Sequence, residues 1–289
     1  MYATIGPDAL GIRGLPLSDA IALARDTGFA GLSFDIRAAA QAIDEHGLAT
    51  VQDQFAQAGV QPAIWNLPVA WRDDQWQVDL RELPRLAATA RQLGATRTAT
   101  YMPSGSDERP FQENFDWHVA RLRPIAEVLR DEGCRFGIEF IGPKTYRAAF
   151  RHEFIHTLDG VMELIAAIGT GNVGLLLDSW HLYTSGGTIA DLERLTSQDV
   201  VVVHVNDAPA GIAPDDQIDT VRTLPMETGV IDLVGFMREL RGMEYDGPVM
   251  PEPFSQRIND LAATDPEAAA REAARSMDAL WRAMGEGDG

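Results

Sequence analysis

At 289 residues with 45% hydrophobic content, the chain is long enough to bury a sizeable core and can fold as one domain. Forty-three acidic against 24 basic side chains give a formal charge of -19, which argues against nucleic acid or anionic lipid as a partner, and no basic patch offsets it. The lone cysteine, Cys134, rules out an intramolecular disulfide and a thiolate zinc knuckle, so any metal must be held by oxygen and nitrogen.

The first residues, MYATIGPDALGIRG, carry no basic and apolar leader pattern, and no apolar run approaches bilayer length; the expectation is a cytoplasmic protein with no membrane partner. Eight short β-branched or aliphatic runs alternate with stretches of helical period, the pattern of a (β/α)8 TIM barrel of class α/β spanning 1-289 as a single domain. Strands are predicted at Ala3 to Gly6, Gly31 to Ile36, Gln61 to Leu67, Arg97 to Met102, Arg135 to Ile141, Val173 to Asp178, Val200 to Asn206 and Pro248 to Glu252.

Between them, Gly28, Gly59, Gly94, Gly133 and Gly169 are placed to end helices in the left-handed conformation. Ser18 is expected to cap the first helix, and Thr157 or Asp159 the one beginning TLDGVMEL. Residues 207 to 229 form a long polar connection after strand seven that reads as a functional lid anchored by Ile218, Val221 and Leu224. The alanine-rich stretch DPEAAAREAARSMDALWRAM is expected to form the last helix at about 265-284, with a frayed tail over 285-289.

Strands of a parallel barrel are buried on both faces and should read as apolar runs, so charged residues inside them carry information. Strand five ends RFGIEFI with Glu139, strand six VGLLLDSWH with Asp178, strand seven VVVHVND with His204 and strand eight PVMPEPF with Glu252. All four fall at or near the C-terminal ends, where barrel active sites are built. Three converging carboxylates repel one another unless a cation sits between them, and three carboxylates with one imidazole form a hard donor set. One divalent metal ion is expected, with Mn2+ favoured and Mg2+, Co2+ or Zn2+ as alternatives. The competing reading gives each acid an arginine partner at the rim. Trp65 and Tyr101, near the ends of strands three and four, offer aromatic faces to a sugar ring or serve as core, and Asp35 could contact substrate or a neighbouring site residue.

The EF pair at Glu139, the LDSWH run from Leu177 to His181, HVND from His204 to Asp207 and GPVMPEPF from Gly247 to Phe254 together resemble the sugar isomerase/epimerase group of xylose isomerase-like TIM barrels. The resemblance implies that Glu139, Asp178, His204 and Glu252 are metal ligands and that Glu139 and Glu252 double as catalytic acid and base. It also implies that His181 and Arg222 bind substrate, beside the Trp65 read from its strand position. Members often have LPGxG where this chain has LPMETG, and keto-sugar epimerases carry a second glutamate after strand five where this chain has Lys144, Thr145 and Tyr146.

The implied chemistry is divalent-metal-dependent removal of a proton next to a carbonyl of a sugar, keto-sugar or polyol, through an enediolate, by an isomerase/epimerase. Return of the proton gives an epimer or isomer, whereas loss of a β-substituent gives a carbon–oxygen lyase or dehydratase acting on an inosose or 3-oxo-glycoside. Two further readings are an apurinic-site endonuclease, for which His181 and Asp207 would be the spare ligands, and a non-catalytic sugar-binding protein. The expected partner is a small-molecule sugar or polyol, with a homo-oligomer left open.

Overall fold

The computed structural model describes residues 1 to 285, so the tail predicted to fray lies, except for Gly285, outside the described residues. Eight parallel strands close into a barrel: β1 (Tyr2–Ile5), β2 (Gly31–Phe34), β3 (Gln61–Asn66), β4 (Arg97–Met102), β5 (Arg135–Phe140), β6 (Val173–Asp178), β7 (Val200–Val205) and β8 (Pro248–Pro251). They follow one another in chain order around the ring, and β8 pairs with β1 to leave no open edge. The class α/β barrel read from the sequence is the observed fold. β4 and β6 match their expected bounds, and the other strands agree within two residues.

The core separates into two parts. Ile138, Leu175, Val203 and Val249 belong to the large cluster shared with the surrounding helices, while Ala63, Ile64, Leu176, Val201, Val202 and Met250 form a second, smaller one. Side chains alternate along a strand, so Asp178, His204 and Glu252, each two residues beyond Leu176, Val202 and Met250, continue the direction of that small cluster. Register reinforces this: His204 is the Cα partner of Asp178 on one side and of Met250 on the other.

Helix punctuation follows the sequence with one exception. Gly28, Gly59, Gly94, Gly133 and Gly169 all adopt positive φ at helix ends, and Thr157 accepts the Gly160 N–H as an N-cap. Ser18 does not cap: the helix Leu17–Thr27 starts one residue earlier, behind Pro16, and the Ser18 hydroxyl points to Asp19 instead. The fixed backbone of Pro16 supplies the turn that a hydroxyl cap would otherwise have made. The last helix runs Pro266–Ala283 and is capped by Asp265, which accepts the Ala268 N–H.

Away from the strand ends, His118 is 2% exposed and stacked on Phe154, with Nδ1 against the Asn114 carbonyl and Nε2 without a partner. Burial lowers its pKa to about 4. Between pH 6.5 and about 4 the unfolded chain therefore takes up a proton that the folded chain refuses, and stability falls with pH by up to about 3 kcal/mol. His118→Phe should remove that part of the acid sensitivity. In urea titrations at a series of pH values, the variant should lose about 2 kcal/mol less than wild type on going from pH 6.5 to pH 4.5. Parallel curves would show that His118 is protonated in the fold.

Candidate active site

Glu139 in β5, Asp178 at the end of β6, His204 in β7 and Glu252 one residue past β8 each offer a donor atom, and these atoms lie within 4.8 Å of one another. Asp178 is fully buried, and Glu139 and His204 are nearly so. His204 Nδ1 is 3.3 Å from Glu252 Oε2 and 3.7 Å from Glu139 Oε1. Neither contact completes a hydrogen bond: His204 Nδ1 and Glu139 Oε1 are both buried and without partners. Buried polar atoms are nearly always satisfied, so two orphans facing each other among carboxylates fit a place built to hold a cation. This donor set suits a divalent ion.

The electrostatics carry the same tension. Burial raises the Glu139 carboxyl to about 7, against the opposing pull of His204. Burial disfavours charge on His204 as well, but the Glu252 and Glu139 carboxylates outweigh it and raise the imidazole to about 10. Glu252 is lowered: burial works against its charge, and the positive His204 and Arg222 overcome that.

Asn206, one residue after β7, braces three strands at once. Its side-chain amide donates to both Asp178 oxygens at 3.3 Å, its Oδ1 accepts the Glu252 N–H at 2.8 Å, and its own N–H meets Ser179 Oγ at 3.0 Å. Asp178 Oδ1 also accepts the Trp180 N–H at 2.7 Å, which turns the chain into the short helix Ser179–Thr184 and sets His181 behind the cluster. His181 is 1% exposed, and burial followed by the charge of Arg222 lowers it to about 3, so the ring is neutral. Its Nδ1 accepts the Gly142 N–H at 3.2 Å; a Cβ at Gly142 would lie 2.3 Å from the His181 carbonyl, so only glycine fits that approach.

The connection 207 to 229 is held by polar contacts. Ile218 and Val221, read as anchors, are about half exposed; only Leu224 of the three is buried. The corrected anchor is Asp207, whose carboxylate accepts backbone N–H groups from Ala208, Thr228, Gly229, Val230 and Ile231, while its backbone bridges to Thr223. Those contacts engage Asp207 fully, so it is no spare metal ligand. Met226, where the resemblance leads to expect glycine, adopts φ 64°, the left-handed conformation a glycine there would take at no cost.

This loop carries Arg222 into the cluster. Nη1 donates to Asp178 Oδ2 at 2.8 Å and to Glu252 Oε2 at 3.2 Å, and Nη2 to Asp219 Oδ1 at 2.9 Å. The rim reading therefore holds for part of the set, since an arginine does meet two of the three carboxylates. Trp65 is completely buried in the main core with its indole N–H unpartnered. Tyr101 is exposed and lies under the Arg72 guanidinium. Asp35 caps the helix Ile36–His46 through the Arg37 and Ala38 N–H groups. Lys144 pairs with Asp215, and no carboxylate occurs in residues 141 to 150. A cavity of about 690 Å³ opens beside Glu252, lined in part by Asp8, Ser33, Asn66, Met250 and Phe254.

Asp219, Asn206 and Phe254 are site-forming residues that sequence reasoning passed over. Asn206 had a legible signal, its place directly after the strand-seven ligand; Asp219 and Phe254 depend on loop and backbone conformations with no local pattern.

A model of the family described as xylose isomerase-like TIM barrel matches residues 21–280. An inosose isomerase of Halalkalibacterium halodurans is 27% identical over 230 residues, 77% of each chain. A solved xylose isomerase domain protein from Alicyclobacillus acidocaldarius superposes with a TM-score of 0.86 at 30% identity, covering 99% of both chains. The IOLI protein, solved with a bound zinc atom, superposes at 0.78 with 19% identity, over 98% of this chain and 99% of its own.

Asp207→Asn tests the anchor. An amide in place of the carboxylate sets N–H against N–H, at a cost of about 2 kcal/mol to the loop. Hydrogen exchange at Thr228 to Ile231 should accelerate by roughly tenfold or more, whereas unchanged exchange would mean the loop is held elsewhere.

Proposed function

The chain belongs to the xylose isomerase-like TIM barrel family, and we propose that it is a divalent-metal-dependent isomerase or epimerase acting on a keto-sugar or a cyclic keto-polyol such as an inosose. The observation that carries this reading is the convergence of Glu139, Asp178, His204 and Glu252 at four successive strand ends, with Glu139 Oε1 and His204 Nδ1 left without partners.

A divalent ion held by those four residues, Mn2+ by the hardness of the donor set, with Mg2+, Co2+ and Zn2+ also compatible, supplies Lewis acidity that sharpens the acidity of the carbon next to a carbonyl. Everything else falls to the protein. Glu139 and Glu252 approach the cluster from β5 and from beyond β8, so one can take a proton from one face of a carbon while the other returns it to the opposite face. His181, neutral and held by Gly142, and Arg222, whose Nη2 lies 3.2 Å from His181 Nε2, form the substrate-binding pair of this reading. The cavity next to Glu252 gathers hydroxyl-binding groups, Asp8, Ser33, Asp35 and Asn66, with the apolar Met250 and Phe254, a lining suited to a polyol ring. Trp65 supports the site from the core. Among the described residues no helix is long and apolar enough to cross a membrane. The substrate is a free small molecule met in the cytoplasm.

The lyase reading has one specific observation in its favour: residues 141 to 150 contain no acid, so Lys144, Thr145 and Tyr146 stand where keto-sugar epimerases hold a second glutamate. On the same site, a β-hydroxyl or β-glycosyl group would leave after the proton is removed.

The purified protein should carry about one divalent ion per chain, lost in Glu252→Ala. With inososes, free keto-sugars and 3-oxo-glycosides in D2O, deuterium should enter at the carbon next to the carbonyl, and Glu139→Gln or Glu252→Gln should slow this roughly 10²- to 10⁴-fold. Release of water or an aglycone would move the assignment to the lyase. Absence of exchange with every substrate at full metal occupancy would sink both readings.

A further inference from the structure

Arg222 is 3% exposed, and its guanidinium is held on several sides. Besides the contacts to Asp178, Glu252 and Asp219, Nε donates to the Asp219 carbonyl at 2.9 Å. The rings of Phe254 and Trp180 lie 4.6 and 5.3 Å from its Cζ.

The two oxygens that Nη1 takes are the ones a bound cation would need. Asp178 Oδ1 is already engaged by the Trp180 N–H, which leaves Oδ2 as the freer oxygen. Glu252 Oε2 is the oxygen that faces His204 Nδ1. A guanidinium and a divalent ion draw on the same lone pairs and repel each other at this range in a site with little water.

We propose that Arg222 is an internal counter-cation that competes with the divalent ion for Asp178 Oδ2 and Glu252 Oε2, and thereby sets how tightly the site holds its ion. The inference rests on reading the four-residue cluster as a cation site. It makes Arg222 a positioning residue acting through two of the site's acids, in addition to any contact with substrate.

Two features work against the guanidinium's present seat. Both ring nitrogens of His181 face donors, the Gly142 N–H at Nδ1 and Arg222 Nη2 at Nε2, each at 3.2 Å. A neutral imidazole accepts on one nitrogen only, so one of these contacts sets a donor against a donor. Phe254, which covers the guanidinium, adopts φ 36°, in the region that a bulky side chain rarely occupies. The charge contacts pull Arg222 inward, the His181 contact opposes them, and flat aromatic faces allow sliding. Release of Nη1 from the two acids passes directly to the turn 219 to 223, because Asp219 holds the same guanidinium and Thr223 bridges to Asp207.

The test is calorimetric titration of Mn2+ into metal-free full-length protein as wild type, Arg222→Met and Arg222→Lys. The methionine variant keeps the apolar stem without the charge and should bind Mn2+ at least about tenfold tighter, while its metal-free form melts lower and regains stability on adding Mn2+. Lysine, which keeps the charge, should return the affinity toward wild type. If the methionine variant binds Mn2+ no tighter than wild type, the competition is refuted while the cation site stands. If no protein binds Mn2+, the cation site itself is refuted. Should the methionine variant not fold, hydrogen exchange of wild type with and without Mg2+ decides: faster exchange over 219 to 223 on binding supports displacement of Arg222, and unchanged or slower exchange contradicts it.

Discussion

Three carboxylates and an imidazole packed at one end of a closed barrel impose the constraint on which the rest of the site depends. Two like charges about 4 Å apart repel by about 4 kcal/mol at the effective dielectric of a protein site, and here burial removes much of the water that would screen them. Positive charge must therefore be drawn in. The protein answers from its own residues with a proton on His204 and the guanidinium of Arg222, and the donor geometry suits a divalent ion that would replace part of that charge.

Holding such a cluster together requires a scaffold that cannot relax apart. The barrel register sets His204 opposite Asp178, and Asn206 ties Asp178 to the backbone of Glu252 across β7. Asp207, the next residue, gathers five backbone N–H groups and so fixes the loop that delivers Arg222. Within four positions, His204, Asn206 and Asp207 thus serve as ligand-type donor, brace and loop anchor. Shape near the reacting groups follows from that short run, and the neighbouring cavity supplies room for a ring-sized molecule.

The fold was legible because a parallel barrel writes itself as apolar runs at regular spacing, and the three acids and one imidazole stood out against those runs. Strand ends proved readable to within two residues. What escaped were features set by contacts distant in sequence. The hydrophobic reading of the 207 to 229 loop failed at Ile218 and Val221, since its order comes from a carboxylate collecting N–H groups more than twenty residues away. Ser18 looked like a cap by residue type, yet Pro16 moved the helix start. Trp65, near a strand end, could not be told from a ligand-contacting residue until its burial was known, whereas Asp35 both caps a helix and lines the cavity beside Glu252. The inward turn of Arg222 onto two of the acids has no local sequence signal, because it depends on Asp219, Phe254 and the loop path together.

The central claim is that the four strand-end residues jointly hold a divalent ion. Its most direct test is a crystal structure of the protein grown with Mn2+, with anomalous data collected above and below the manganese edge. The account requires one strong anomalous peak bounded by Glu139, Asp178, His204 and Glu252. A crystal grown in saturating Mn2+ with no peak there, or with manganese bound only at surface carboxylates, would contradict it.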